Sequence, residues 1–117
     1  MRRSIRLLLL CVTVAVAATL VPATGAQAKG CRVGDERSYG TTYVLSIRVS
    51  GTSCRSGRRV IRAFHACRPG KSGKCGHRVL GYKCSESRFN KGRTSYDSRV
   101  TCRKGGKRVK HTYTQFT

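Results

Sequence analysis

The chain has 117 residues, with 25 Lys and Arg against four Asp and Glu, and a formal net charge of +21. Seven cysteines, no tryptophan and 38% hydrophobic residues describe a small basic protein with little apolar material. The length fits a single domain, and four carboxylates leave little for chemistry built on paired acidic groups.

The first 28 residues read as a signal peptide. Arg2, Arg3 and Arg6 form a basic start, Leu7 to Leu20 is an uncharged apolar run, and Pro22 breaks it. Ala26-Gln27-Ala28 is a small-x-small cleavage site. The apolar run is shorter than the roughly 20 residues that span a bilayer, which favours a cleaved leader over a retained anchor. Cys11 follows Leu10, where a lipidated cysteine wants a small residue, and Arg2-Arg3 lacks twin-arginine surroundings. Cleavage after Ala28 leaves Lys29 to Thr117, one domain of 89 residues carrying 22 Lys and Arg and a net charge of +18.

Cys31, Cys54, Cys67, Cys75, Cys84 and Cys102 remain, an even number in a short exported chain, which reads as three disulfides. No C-x-x-C pair supports zinc, and no metal or other cofactor is expected. Leu, Ile, Val and Phe make up 14 of the 89 residues. Below about 20% of such residues, a highly charged chain reads as disordered. Cross-links worth roughly 2–4 kcal/mol each make up the difference.

Residues 29–38 are polar and read as a loosely ordered arm tied down by Cys31. Tyr43, Leu45, Ile47 and Val49 alternate with Val44, Ser46 and Arg48, the pattern of a half-buried strand. Thr52 or Ser53 then caps a helix whose inner face is Cys54, Gly57, Val60, Ile61, Phe64 and Cys67. Arg68-Pro69-Gly70 stops it, and residues 68–76 form a basic loop. A strand near 78–85 follows, with Leu80, Tyr82 and Cys84 on one face, and residues 86–97 read as a polar connection. A further strand near 98–103, a hairpin at Gly105-Gly106 and a last strand near 107–116 complete the chain.

This order, β-α-β-β-β, predicts an α+β fold: one helix packed on a small antiparallel sheet, disulfide-stapled. The place of the first strand in the sheet stays open. With Gly105-Gly106 as the loop, Arg103 faces Arg108 and Cys102 faces Val109. A preceding hairpin centred near Arg93 sets Cys84 opposite Cys102, within disulfide reach. A local Cys67–Cys75 bridge closes the loop after the helix, and Cys31–Cys54 ties the arm to the helix start. Six cysteines allow 15 connectivities, of which this is one.

Several of these segments together resemble a known group. They are Tyr43-Val44-Leu45-Ser46-Ile47, Gly51-Thr52-Ser53-Cys54, Gly81-Tyr82-Lys83-Cys84 and Val100-Thr101-Cys102-Arg103-Lys104-Gly105. The chain resembles small exported proteins of unknown function from high-GC Gram-positive bacteria. The resemblance implies a strand–helix–sheet domain outside the cell and transfers no catalytic residue. The Cys67–Cys75 segment is additional to that pattern.

The functional signal is cationic. Arg55, Arg58, Arg59, Arg62 and His65 fall on the helix face opposite the apolar one, with no acidic partner nearby in sequence. The hairpin register gathers Lys83, Arg103 and Arg108 in one row, with Arg99 and Lys110 on the same outer sheet face. An ordinary solvated surface, or arginine inflated by a GC-rich genome, would give the same pattern. Two basic surfaces otherwise imply polyanions: an envelope polymer, an anionic membrane surface, or nucleic acid bound non-specifically. No second subunit is implied, and a monomer is expected. Tyr82, Tyr113 and Phe116 are candidates for stacking on bases or for strand packing.

Two other classes compete. A ribonuclease-like hydrolase would use His65, His77 and His111, but no spacing brings two of them together, and no enzyme is expected. A protease inhibitor would present Lys71 or Lys74 in the Cys67–Cys75 loop, against the plainer reading of a flexible connector. The disulfide requirement is testable: reduction is expected to abolish the near-ultraviolet circular dichroism of the domain, and an unchanged spectrum after complete reduction would refute it.

Overall fold

The computed structural model describes residues 14–18, 27–35 and 39–117. Most of the leader, including its basic start and Cys11, lies outside the described residues, as does the end of the arm at 36–38. Among the described residues, no helix is long and apolar enough to cross a membrane.

The elements are β1 (Lys29–Cys31), β2 (Thr42–Ser50), α1 (Cys54–Cys67), β3 (Lys83–Phe89), β4 (Ser95–Lys104) and β5 (Lys107–Phe116). The five strands form one antiparallel sheet in the order β1-β2-β5-β4-β3. The helix covers one face of it, so the fold is the expected α+β arrangement with an added edge strand. The start of the arm is therefore not loose: Lys29–Cys31 pairs with Ile47–Val49 of β2. The first long strand takes the place between that edge and β5.

The helix begins because Ser53 stays extended and its hydroxyl accepts a hydrogen bond from the Ser56 amide at 3.1 Å. It ends where Arg68 turns extended ahead of Pro69. Gly57, Val60, Ile61 and Phe64 are its buried face, at the expected three- and four-residue steps. They meet Ile47, Val49, Val100, Cys102 and Val109 on the inner face of the sheet, all within the same buried core.

The hairpin register is the one the turn residues predict. Lys104 faces Lys107, Arg103 faces Arg108, Cys102 faces Val109, and Cys84 faces Cys102. Disulfides join Cys31 to Cys54, Cys67 to Cys75 and Cys84 to Cys102. The first anchors the edge strand to the helix start, the second closes the loop after the helix, and the third crosses from β3 to β4.

Three local expectations are corrected. In β2 the pairing shifts between Val44, opposite Tyr113, and Ser46, opposite Thr112. Leu45 is the extra residue of a bulge, which reverses the alternation on its N-terminal side. Val44 is thus buried, whereas Tyr43 and Leu45 are 46% and 58% exposed. Just before β3, Leu80 and Gly81 both have positive φ (48° and 81°) and link Val79 to Tyr82 in a tight turn. Leu80 therefore sits at an exposed tip rather than beside Tyr82 and Cys84. Third, residues 86–97 are mostly strand: β3 runs to Phe89 and β4 starts at Ser95.

Gly57 is the point of closest helix–sheet approach. A Cβ there would lie 2.5 Å from Val49 Cγ1. Helix propensity alone makes Gly→Ala a gain of up to about 1 kcal/mol. Overpacking of this kind typically costs about 1–3 kcal/mol. Gly57→Ala is therefore expected to lower the denaturation midpoint; a higher midpoint would show that β2 yields easily.

Candidate functional site

The sheet has two very different faces. On the outer one, away from the helix, the register aligns Lys83, Arg103 and Arg108 in one row, followed by Ser50 of β2. The next row is Ser85, Thr101, Lys110 and Arg48, and the next Ser87, Arg99, Thr112 and Ser46. All five sheet cations expected here are exposed on this face. Arg48 joins them because β2 lies beside β5, a neighbour relation that strand periodicity does not reveal. A shallow groove of about 200 Å³ runs between Arg48, Arg99 and Lys110 over the Ser46 and Thr112 hydroxyls, which bond each other. Asp97, the carboxylate of this face, is occupied by Asn90 at 2.8 Å and Thr114 at 2.6 Å. These bonds hold it below the ordinary carboxylate range.

The far end of the same face is aromatic. Tyr43 lies opposite Thr114, and its ring meets Phe116 edge-on with centroids 5.4 Å apart. Phe89 faces Asp97 and carries the Arg99 guanidinium over its ring at 4.6 Å. Of the three aromatics suggested for stacking, Tyr82 and Tyr113 are buried and Phe116 is exposed. Tyr43 and Phe89 were missed because the bulge and the longer β3 are invisible to simple alternation.

The helix contributes a second basic surface on the other side of the molecule. Arg55, Arg59 and Arg62 are exposed. Arg58 is half-buried and donates to the Arg32 carbonyl at 3.1 Å, bracing the segment after β1. His65 does not belong to that surface.

The inner face carries a buried polar network in place of a purely apolar core. His65 and His111 meet Nε2 to Nε2 at 2.9 Å, although 46 residues separate them. Arg68 donates from Nη1 to His65 Nδ1 at 3.0 Å and from Nη2 to Tyr96 Oη at 2.6 Å. Arginine can only donate, so His65 Nδ1 accepts and its proton sits on Nε2. That proton goes to His111 Nε2, which leaves the His111 proton on Nδ1, a buried atom without a partner. Glu86 Oε2 accepts from Arg88 at 2.6 Å, Tyr113 at 2.6 Å and Ser98 at 3.0 Å. Burial pushes the Glu86 carboxyl up, but these three hydrogen bonds outweigh it and hold it below its ordinary range. Burial likewise raises the Tyr113 phenol, reinforced by its bond to Glu86.

The structure thus brings together two of the three histidines that sequence spacing left apart. Their ring nitrogens are spent on each other and on Arg68, apart from the sealed Nδ1. Burial, then Arg68, lowers the pKa of His65 to about 3. Burial, then His65 and Arg68, lowers that of His111 well below 6.5. Neither is a ready proton donor at neutral pH. His65, but not His111, borders a cleft of about 490 Å³ between Tyr39, Arg62 and Lys71.

The loop after the helix is not a loose connector. Arg68 donates to the Lys71 and Gly73 carbonyls, and Arg88 to those of Ser72 and Gly73. Lys71 and Lys74 are exposed, but the Lys71 carbonyl faces inward to Arg68 and Tyr96. A scissile carbonyl must instead face the oxyanion hole of a protease. Ligand atoms of Cys67, Cys75 and His77 lie within 4.8 Å of one another. Both sulfurs are consumed by the disulfide, leaving His77 alone as a donor.

The chain matches no family model, no curated protein and no solved structure.

The histidine pair makes the fold acid-sensitive. Below pH 6.5 the unfolded chain takes up protons that the folded pair refuses, so stability falls as pH drops from about 6.5 toward 3. The slope is at most about 1.4 kcal/mol per pH unit for each histidine. Thermal melts between pH 7 and 4.5 are expected to show this decline, and His111→Gln to flatten it. A midpoint independent of pH across that window would contradict the buried neutral pair.

Proposed function

We propose that this is an exported, non-enzymatic domain that binds polyanions through the open face of its sheet. The observation that carries the reading is the set Arg48, Lys83, Arg99, Arg103, Arg108 and Lys110, all exposed on one flat surface. Glu86 is turned inward to Arg88, and Asp97 is held by Asn90 and Thr114, so neither carboxylate serves these cations. Lys83, Arg103 and Arg108 stand directly opposite one another across three strands. Like charges so placed are destabilising, and a bound anion relieves the repulsion. Arg55, Arg59 and Arg62 on the helix supply a second, weaker contact surface.

The non-enzymatic part rests on the engagement of the ring nitrogens of His65 and His111, and the inward Lys71 carbonyl stands against the inhibitor alternative at that residue. The ligands compatible with the charge are phosphate-rich envelope polymers, anionic lipid surfaces and nucleic acids. The leader and three disulfides support a place outside the cell.

Binding to a phosphate polymer is expected to weaken steeply with salt, because each contact releases counterions. Double substitution Arg103→Gln/Arg108→Gln should lower the slope of log affinity against log salt by roughly 0.7–0.9 per lost contact. Fluorescence anisotropy with labelled linear polyphosphate measures both. Affinity that does not change between 50 mM and 200 mM salt would remove the proposal.

A further inference from the structure

Resting on the polyanion reading, we infer that the ligand of the outer sheet face is single-stranded nucleic acid, its bases stacked on Tyr43 and Phe116 and its phosphates on the cation rows. A face meant only for charge needs no rings. Here Phe116 ends the strand that carries Arg108 and Lys110, with Thr112 and Thr114 between, and Tyr43 of the neighbouring β2 meets its ring. From Arg108 to Phe116 the strand spans about 27 Å at ~3.4 Å per residue, room for a run of several nucleotides.

The bulge argues that the rings are positioned and not merely left over. With uninterrupted alternation, Tyr43 would share the inner face with Ile47 and Val49 and be buried. The extra residue Leu45 turns it outward beside Phe116. Bulges re-aim side chains in this way and are common beside binding sites. The consequence is three large apolar side chains (Tyr43, Leu45 and Phe116) about half or more exposed at one end of a small domain, and exposed apolar patches of this kind mark interaction sites. The rings meet at 89°, the edge of one against the face of the other, and about half of each side chain is exposed to solvent. Every base has a π-face, so stacking tolerates any sequence, and a groove of cations tracking the backbone completes the usual pairing of features for single strands. Ser46, Thr101 and Thr112 add hydroxyls that reach phosphate or sugar oxygens. A base-paired duplex hides its ring faces and cannot use the aromatic end.

Lipid headgroups and wall polymers offer phosphate without stacked bases, so they engage the cations and leave the rings unused. That difference is the test. The exported, disulfide-bonded protein is titrated by fluorescence anisotropy against a labelled twelve-nucleotide oligothymidylate and an abasic strand of the same length. Oligothymidylate is expected to bind more tightly than the abasic strand. Tyr43→Ala and Phe116→Ala, made separately, should each weaken oligothymidylate binding roughly 5- to 150-fold. The same variants should leave abasic binding unchanged. Leu80→Ala, an exposed apolar residue at the turn before β3, serves as the control and should change neither. Each variant is checked by its near-ultraviolet spectrum, and two independent ring deletions guard against a local folding effect. Equal affinity for the two strands, with no effect of either ring deletion, overturns the inference while leaving polyanion binding intact. Failure of both strands and of polyphosphate to bind overturns both.

Discussion

The molecule depends on the register of its β3–β4–β5 meander. Side chains alternate faces with a period of two, so a slip of one residue would exchange the two faces completely. Arg99, Arg103, Arg108 and Lys110 would then point at the helix, and Val100, Cys102 and Val109 at water. The Gly105-Gly106 turn sets the register between β4 and β5, and the Cys84–Cys102 bond locks it between β3 and β4. The bond is therefore more than a brake on unfolding, because it fixes which chemistry the domain shows to its surroundings.

The interior solves the shortage of apolar residues in a second way. Beyond Phe64, the last buried apolar residue of the helix, the core continues as His65, His111, Tyr113, Tyr96 and Gln115, tied together by Arg68. Aromatic and imidazole rings fill volume much as leucines would, and most of their polar atoms find partners within the network or on nearby carbonyls. Arg68 also lies 4.8 Å over the Tyr113 ring and holds the carbonyls of the following loop. A single buried guanidinium thus couples the helix end, the sheet and the loop. The arrangement leaves two atoms unmatched, Glu86 Oε1 and His111 Nδ1.

Much of the fold was legible in the sequence because its signals are local. The helix face follows from residues three and four apart, its cap from Ser53, and the Cys84–Cys102 apposition from two hairpins and an odd-even count. What stayed hidden is either irregular or non-local. The Leu45 bulge breaks the alternation that would have been used to read it. The His65–His111 contact joins the helix to β5, and no spacing along the chain encodes it. Arg48 belongs to the basic face because β2 pairs with β5, and strand order is not written in periodicity. The basic rows of the sheet could be read in advance, whereas the aromatic end of the same surface could not.

The short first strand has a consequence for how copies of the protein meet. Lys29–Cys31 pairs with Ile47–Val49, and among the described residues no strand lies beside the 42–46 part of β2 on that side. Unpaired strand edges invite another chain to add itself. In the free protein, a net charge of this size keeps copies apart. On the proposed polyanion reading, a long polymer that cancels this charge and gathers several copies along its length would also bring their open edges together. On that reading, polymer length, rather than protein concentration alone, would set how often two open edges meet.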